Sequence, residues 1–156
     1  MNITVISVGK IKEKYFTAAI DEYSKRLSRF AKLNIIEVAD EKIPDNASEK
    51  EMEQIKEKEG NKILAKLPQN SFVVTLCIEG KEYSSEELAK KIADISMTSS
   101  HITFIIGGSL GLSDTVKSKS ALRLSFGKMT LPHQLMRVVL LEQIYRAFKI
   151  NNNESY

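Results

Sequence analysis

The chain has 156 residues, of which 42% are hydrophobic and 28% charged, with a net charge of +3, and this balance predicts a single globular domain over residues 1–156. The lone cysteine, Cys77, excludes an internal disulfide and a multi-cysteine metal site, and with only two histidines we expect no metal centre. No apolar run is long enough to span a membrane and no secretory signal begins the chain, so we expect a cytoplasmic protein.

Strand-like and helix-like segments alternate along the chain. Short apolar or β-branched runs predict strands over residues 2–8, 33–38, 72–78, 102–106 and 121–126. Helical spacing, capping boxes and an early proline predict helices over residues 10–30, 48–67, 84–96, a short segment after 113, and 132–149. Gly80 is interpreted as a turn. This alternation predicts an α/β fold, a mostly parallel sheet flanked by helices.

The last predicted helix carries apolar residues on more than one stripe, so we expect two of its sides to be buried. One side can pack on the sheet, and the other requires a further element or a second subunit. The apolar positions are Leu135, Met136, Val138, Val139, Leu140, Leu141, Ile144, Tyr145, Ala147 and Phe148.

Basic residues concentrate in two segments. Residues 9–33 hold seven basic and three acidic residues, and residues 115–128 hold four basic residues and no acid. We predict that the two segments merge into one surface that approaches phosphates. The alternative is that both are ordinary solvated helix faces.

Four of the seven glycines, Gly107, Gly108, Gly111 and Gly127, fall after or between late strands. Loops of this kind predict a cleft lined by main-chain groups that can bind an adenine or a ribose; the alternative is that they only make tight turns. Their spacing does not match the dinucleotide-binding or P-loop patterns, and Ser109 does not lie in a nucleophile elbow. A nucleotide-cofactor oxidoreductase is therefore disfavoured.

Two polar side chains begin the last predicted helix, near the Gly127 loop. His133 could contact a ligand or be a hydrogen-bonded structural histidine. Arg137, one turn later, could hold a phosphate or polarise a base carbonyl, or it could pair with Glu142 or another acid. We expect Cys77 to be a small core residue and His101 a surface residue.

Several segments closely resemble one family over essentially the whole chain, and in the same order. This chain resembles the ribosomal RNA large subunit methyltransferase H family in four segments. They are residues 8–15 (VGKIKEKY), 104–112 (FIIGGSLGL), 124–137 (LSFGKMTLPHQLMR) and 141–148 (LEQIYRAF). The resemblance implies a SPOUT-class fold with a C-terminal trefoil knot. It also implies a homodimer that uses S-adenosylmethionine to methylate N3 of a pseudouridine in large-subunit (23S) ribosomal RNA within the assembled ribosome.

The resemblance also assigns roles to residues. The cofactor contacts that it implies are Leu76, Gly108, Gly127, Lys128, Met129, Thr130, Leu131 and Pro132. We expect His133 and Arg137 to position the uracil-like edge of the substrate and Tyr156 to stack on it. The last helix would form the dimer interface.

The end of the sequence departs from the family pattern. Family members usually end in a tyrosine, a histidine and a basic residue, a tail that resembles a substrate-facing element reaching the partner's site. Here Tyr156 matches the tyrosine, and the histidine and basic residue do not follow it. This departure keeps open a second interpretation, a non-catalytic RNA- or ribosome-binding dimer of the same fold.

Overall fold

The computed structural model describes residues 1–155. The strands are β1 (Asn2–Val8), β2 (Lys32–Val38), β3 (Phe72–Glu82), β4 (His101–Ile106) and β5 (Leu122–Ser125). The helices are α1 (Lys14–Leu27), α2 (Glu49–Lys66), α3 (Ser85–Ser96), α4 (Asp114–Ser118) and α5 (His133–Asn151). The five strands form one sheet in the order β2-β1-β4-β3-β5, and every neighbouring pair is parallel.

Helices cover both faces of the sheet. Successive side chains of β1 point to opposite faces, so Ile3 and Val5 pack with α1, α3 and α5, whereas Ile6 and Val8 pack with α2 and α4. All four side chains are at most 2% exposed. Burying each contributes about 1.5–3 kcal/mol. Burial on both faces explains the continuous apolar runs, and it confirms the predicted parallel α/β sheet flanked by helices.

Two helices begin at the predicted capping boxes. The hydroxyl of Ser48 accepts the Glu51 N–H at 3.1 Å, while the Glu51 carboxylate accepts the Ser48 N–H at 3.2 Å. The same reciprocal pair joins Ser84 and Glu87. Each cap satisfies N–H groups that have no partner within the helix and contributes about 1 kcal/mol.

The prediction of a turn at Gly80 is wrong, because β3 continues through this residue. Leu124 of β5 pairs with β3 both before and after residues 77–80, which therefore bulge out of the ladder. An ideal Cβ at Gly80 would lie 2.7 Å from the carbonyl oxygen of Arg123. Glycine here allows β3 to lie directly against the backbone of β5.

The helical parts of the two basic segments do not merge as predicted. Helix α1 packs in the layer that contains α5, whereas α4 packs with α2 on the other face of the sheet. The helix predicted from residue 10 begins only at Lys14, so residues 10–13 form a turn. The threading of the C-terminal segment into a knot stays a prediction of the resemblance.

Helix α5 packs one side against α1 and α3. Its buried stripe contains Leu140, Leu141 and Ile144. Leu135 and Val139, one turn apart on another side, are only half-buried and belong to neither apolar core. None of the helices within residues 1–155 has both the length and the apolar character needed to cross a membrane.

Candidate functional site

A cleft with a volume of about 660 Å³ lies beyond the carboxyl ends of β3, β4 and β5. Its walls are the loop after β4 (residues 107–111), the loop after β5 (residues 126–132) and the bulge of β3. Ligands bind at this end of open parallel sheets, because the loops that follow the strands converge there. The cleft is therefore the candidate functional site.

The loop after β4 closes tightly on itself. The Gly111 N–H donates to the carbonyl oxygen of Gly108 at 3.0 Å. An ideal Cβ at Gly107 would lie 2.7 Å from the carbonyl carbon of Gly111, and Gly111 itself has a φ of +84°. Gly107 requires glycine because the Gly111 backbone approaches it closely. Gly111 requires glycine because its φ is positive.

The loop after β5 is fixed by Ser125. Its hydroxyl donates to the carbonyl oxygen of Ile78 at 2.9 Å and accepts the Gly127 N–H at 3.1 Å, which joins this loop to the β3 bulge. Across the part of the chain that the structure describes, the main-chain N–H groups of residues 129–131 make no backbone hydrogen bond. Main-chain donors are thus available at the cleft.

The β3 bulge forms the floor of the cleft. Cys77 lies there with 8% of its surface exposed, and its Sγ donates to the Thr75 hydroxyl at 3.5 Å. Burial raises the pKa of the thiol, so the reactive thiolate is disfavoured. Cys77 is the small buried residue that the sequence predicts.

His133 is the first residue of α5, next to Pro132, and its imidazole lines the cleft. Its Cε1 lies 3.5 Å from the position that a Cβ on Gly9 would occupy. Burial lowers the pKa of His133, the nearby Arg137 charge lowers it further, and Asp40 opposes these effects. The ring is therefore neutral at neutral pH. Its buried Nδ1 has no hydrogen-bond partner among residues 1–155.

Arg137 lies behind the cleft rather than in it. Its side chain is 2% exposed, and Nη1 donates to the Glu37 carboxylate at 2.6 Å. Nη2 donates to the carbonyl oxygens of Val8 and Gly9 at 2.9 and 2.7 Å. The guanidinium is committed to an acid and to the end of β1, which is the alternative of an acid partner that the sequence left open.

A second buried ionisable group lies beside the loop after β4. Glu59 of α2 is 5% exposed and accepts the Glu41 N–H at 3.0 Å. Its Oε1 lies 3.4 Å from the position that a Cβ on Gly108 would occupy. Burial raises the pKa of this carboxyl group. Glu59, Ser125 and Glu37 could not be identified from the sequence, because each has a hydrogen-bond partner far away along the chain.

Most of the predicted site residues meet at this cleft. The lining includes Leu76, Gly108, Gly127, Met129, Thr130, Leu131, Pro132 and His133. Lys128 is exposed in the same loop and does not line the cleft, and Tyr156 lies outside the described residues. His101, which we expected at the surface, is half-buried: it begins β4, and its Nε2 hydrogen-bonds to the Thr4 hydroxyl at 2.7 Å.

Comparison with known proteins places the chain in a family. The model of the family described as "Predicted SPOUT methyltransferase" matches residues 1–156. A ribosomal RNA large subunit methyltransferase H from Clostridioides difficile is 60% identical, and one from Clostridium novyi is 62% identical; each alignment covers 100% of this chain and 99% of the relative. A solved tRNA methyltransferase from Aquifex aeolicus shares the fold with a TM-score of 0.53 at 14% identity, over 94% of this chain and 70% of that one. The chain belongs to the SPOUT methyltransferase family and, within it, to the ribosomal RNA large subunit methyltransferase H family.

Proposed function

We propose that this protein transfers a methyl group from S-adenosylmethionine to N3 of a pseudouridine in large-subunit (23S) ribosomal RNA, acting in the cytoplasm on the assembled ribosome. The observation that carries the proposal is the glycine-lined cleft, in a chain that is 60% identical over its whole length to a ribosomal RNA large subunit methyltransferase H.

The cleft fits an adenosyl cofactor in size and character. Small-molecule pockets occupy roughly 300–1,000 Å³, and this cleft has about 660 Å³. Gly107 and Gly111 allow the loop after β4 to close tightly beside the cleft, and the N–H groups of residues 129–131 are available to bind polar atoms of a ligand. Leu76 and Leu131 offer apolar surfaces for the adenine ring.

S-adenosylmethionine supplies a methyl group that is bonded to a positively charged sulfur. The positive charge makes the sulfur a good leaving group. The protein must align the methyl carbon with N3, and holding reactants in line can lower a barrier by about 7–11 kcal/mol at best. Bond formation at N3 would break the bond between the sulfur and the methyl carbon, with the sulfur departing as a neutral thioether and the N3 proton passing to solvent water. The neutral imidazole of His133 can bind the uracil-like edge, with Tyr156 as the group that stacks on it.

We also propose that the protein acts as a homodimer through α5. The half-buried Leu135 and Val139 leave an apolar side of this helix without a partner in either core. A second copy packed on this side would supply the second burial surface that the sequence of the helix predicts.

Transfer of labelled methyl groups tests the function directly. The protein is incubated with radiolabelled S-adenosylmethionine and with ribosomes from a strain that lacks the modification. Label in the large-subunit RNA, mapped to a pseudouridine, is the expected result. Tight ribosome binding without label would instead favour the non-catalytic dimer, and label at another nucleotide would correct the substrate.

A further inference from the structure

We infer that the turn between β1 and α1, residues 9–14, is the surface on which the phosphates of the RNA substrate dock. This inference rests on the proposed function, and it assigns RNA contacts to residues outside the cofactor cleft. We name residues 9–14 the lysine turn, because Lys10, Lys12 and Lys14 all project from it.

The backbone of the lysine turn is fixed from beneath. Arg137 donates to the carbonyl oxygens of Val8 and Gly9, and the Glu37 oxygen that it contacts also accepts the Ile11 N–H at 3.2 Å. Burying a guanidinium costs desolvation energy, so the group stabilises a structure only when its N–H groups donate good hydrogen bonds. Here they hold a surface turn in one shape, as a preformed docking element requires.

The lysines of the turn are free to bind an external anion. All three are exposed, and none of them lies within 4.0 Å of a carboxylate in residues 1–155. In contrast, Arg26 and Arg29, near the other end of α1, are both paired with carboxylates at 2.8 and 2.9 Å. The one acid within the turn, Glu13, forms no ion pair with its lysines. Free cations on a fixed backbone favour phosphate binding.

An aromatic side chain accompanies the lysines. Tyr15, directly after Lys14, is 66% exposed, and its ring lies against the ring of Phe16 with 4.6 Å between centroids. Proteins that bind single-stranded nucleic acids combine cations for the backbone with exposed rings for the bases. This pairing favours RNA over other polyanions.

The turn lies at the rim of the cleft. Gly9, its first residue, approaches the imidazole of His133, which lines the cleft. The loop that carries Lys128 follows β5 at the same end of the sheet, three strand spacings from β1, or about 14 Å. An RNA strand that places a base at His133 would therefore pass its neighbouring phosphates over the lysine turn.

Salt dependence of binding tests the inference. The full-length variant K10A/K12A/K14A is compared with the parent for binding to purified large ribosomal subunits that lack the modification. Each lost phosphate contact reduces the slope of log affinity against log salt by about 0.7–0.9, so we expect the slope to fall by about 2–3. Calorimetry with S-adenosylmethionine alone should show unchanged cofactor affinity.

The matched control removes three lysines from the opposite end of the sheet. Lys32, Lys66 and Lys119 are exposed and lie near the amino ends of β2, β3 and β5. The variant K32A/K66A/K119A should keep the parental slope. Equal slopes for the parent and K10A/K12A/K14A would overturn the inference. An equal fall of the slope in K32A/K66A/K119A would also overturn it. The proposed function would fail separately, through absence of methyl transfer by the parent.

Discussion

Gly107 is the residue at which the loop after β4 has the least room. An ideal Cβ there would lie 2.7 Å from the Gly111 carbonyl carbon, and a main-chain atom cannot move aside as a flexible side chain can. We expect Gly107→Ala to open the loop and to weaken S-adenosylmethionine binding at least tenfold, or about 1.4 kcal/mol, as measured by calorimetry.

Ser100→Ala provides the matched control. Ser100 is exposed, precedes the amino end of β4 and does not line the cleft, and its replacement removes only a hydroxyl group. Its cofactor affinity should stay near the parental value. An unchanged affinity in Gly107→Ala would show that the closed form of the loop is not required for binding.

His133 makes stability depend on pH. Burial and the charge of Arg137 lower its pKa in the folded protein, so as pH falls below about 6.5 the unfolded chain takes up the proton first. We expect the free energy of unfolding to decrease between about pH 7.5 and about pH 5.5, and His133→Gln to reduce that decrease. Urea unfolding at both pH values measures the decrease in the free energy of unfolding. An equal decrease in parent and variant would exclude His133 as its source.

Among the elements, the junction of β1, β2 and α5 depends on one buried ion pair. Arg137→Met would remove the guanidinium donor from two carbonyl oxygens and from Glu37, which keeps the Ile11 N–H. Removing one partner of a buried pair costs about 3–5 kcal/mol, and we expect the lower end because Glu37 is 36% exposed. Urea unfolding measures the loss of unfolding free energy.

Arg26→Met is the control for the ion pair of Arg137. Arg26 is 45% exposed and pairs with Glu22 one turn earlier on α1, and an exposed ion pair of this kind contributes little to stability. A loss in Arg137→Met as small as that in Arg26→Met would show that the guanidinium does not hold the junction together.

The limits of sequence reasoning also show at the scale of elements. The capping boxes at Ser48 and Ser84 could be predicted, because both partners lie within one turn of the chain. The pairing of Arg137 with Glu37 spans 100 residues, and no local pattern specifies it. The β3 bulge at Gly80 was missed for the same reason, since the backbone that it contacts belongs to β5.

For the whole molecule, the candidate site follows from parallel pairing. Parallel strands bring their carboxyl ends to one edge, so the loops after β1, β4 and β5 meet there. The sequence predicts this convergence and hence the cleft between glycine loops. It does not predict the strand order, which separates α1 from α4 and places the lysine turn and Lys128 at the same end of the sheet.

Dimer formation through α5 is the prediction that concerns the whole molecule. Parental protein should sediment as a dimer, and Leu135→Glu should sediment as a monomer, because a carboxylate on the apolar side of α5 cannot be buried without a partner. Helical content measured by circular dichroism should stay unchanged, since Leu135 lies outside both cores. Met97→Glu, at an 83% exposed position, is the control and should remain dimeric. A monomeric parent, or a dimeric Leu135→Glu variant, would contradict an interface on this side of α5.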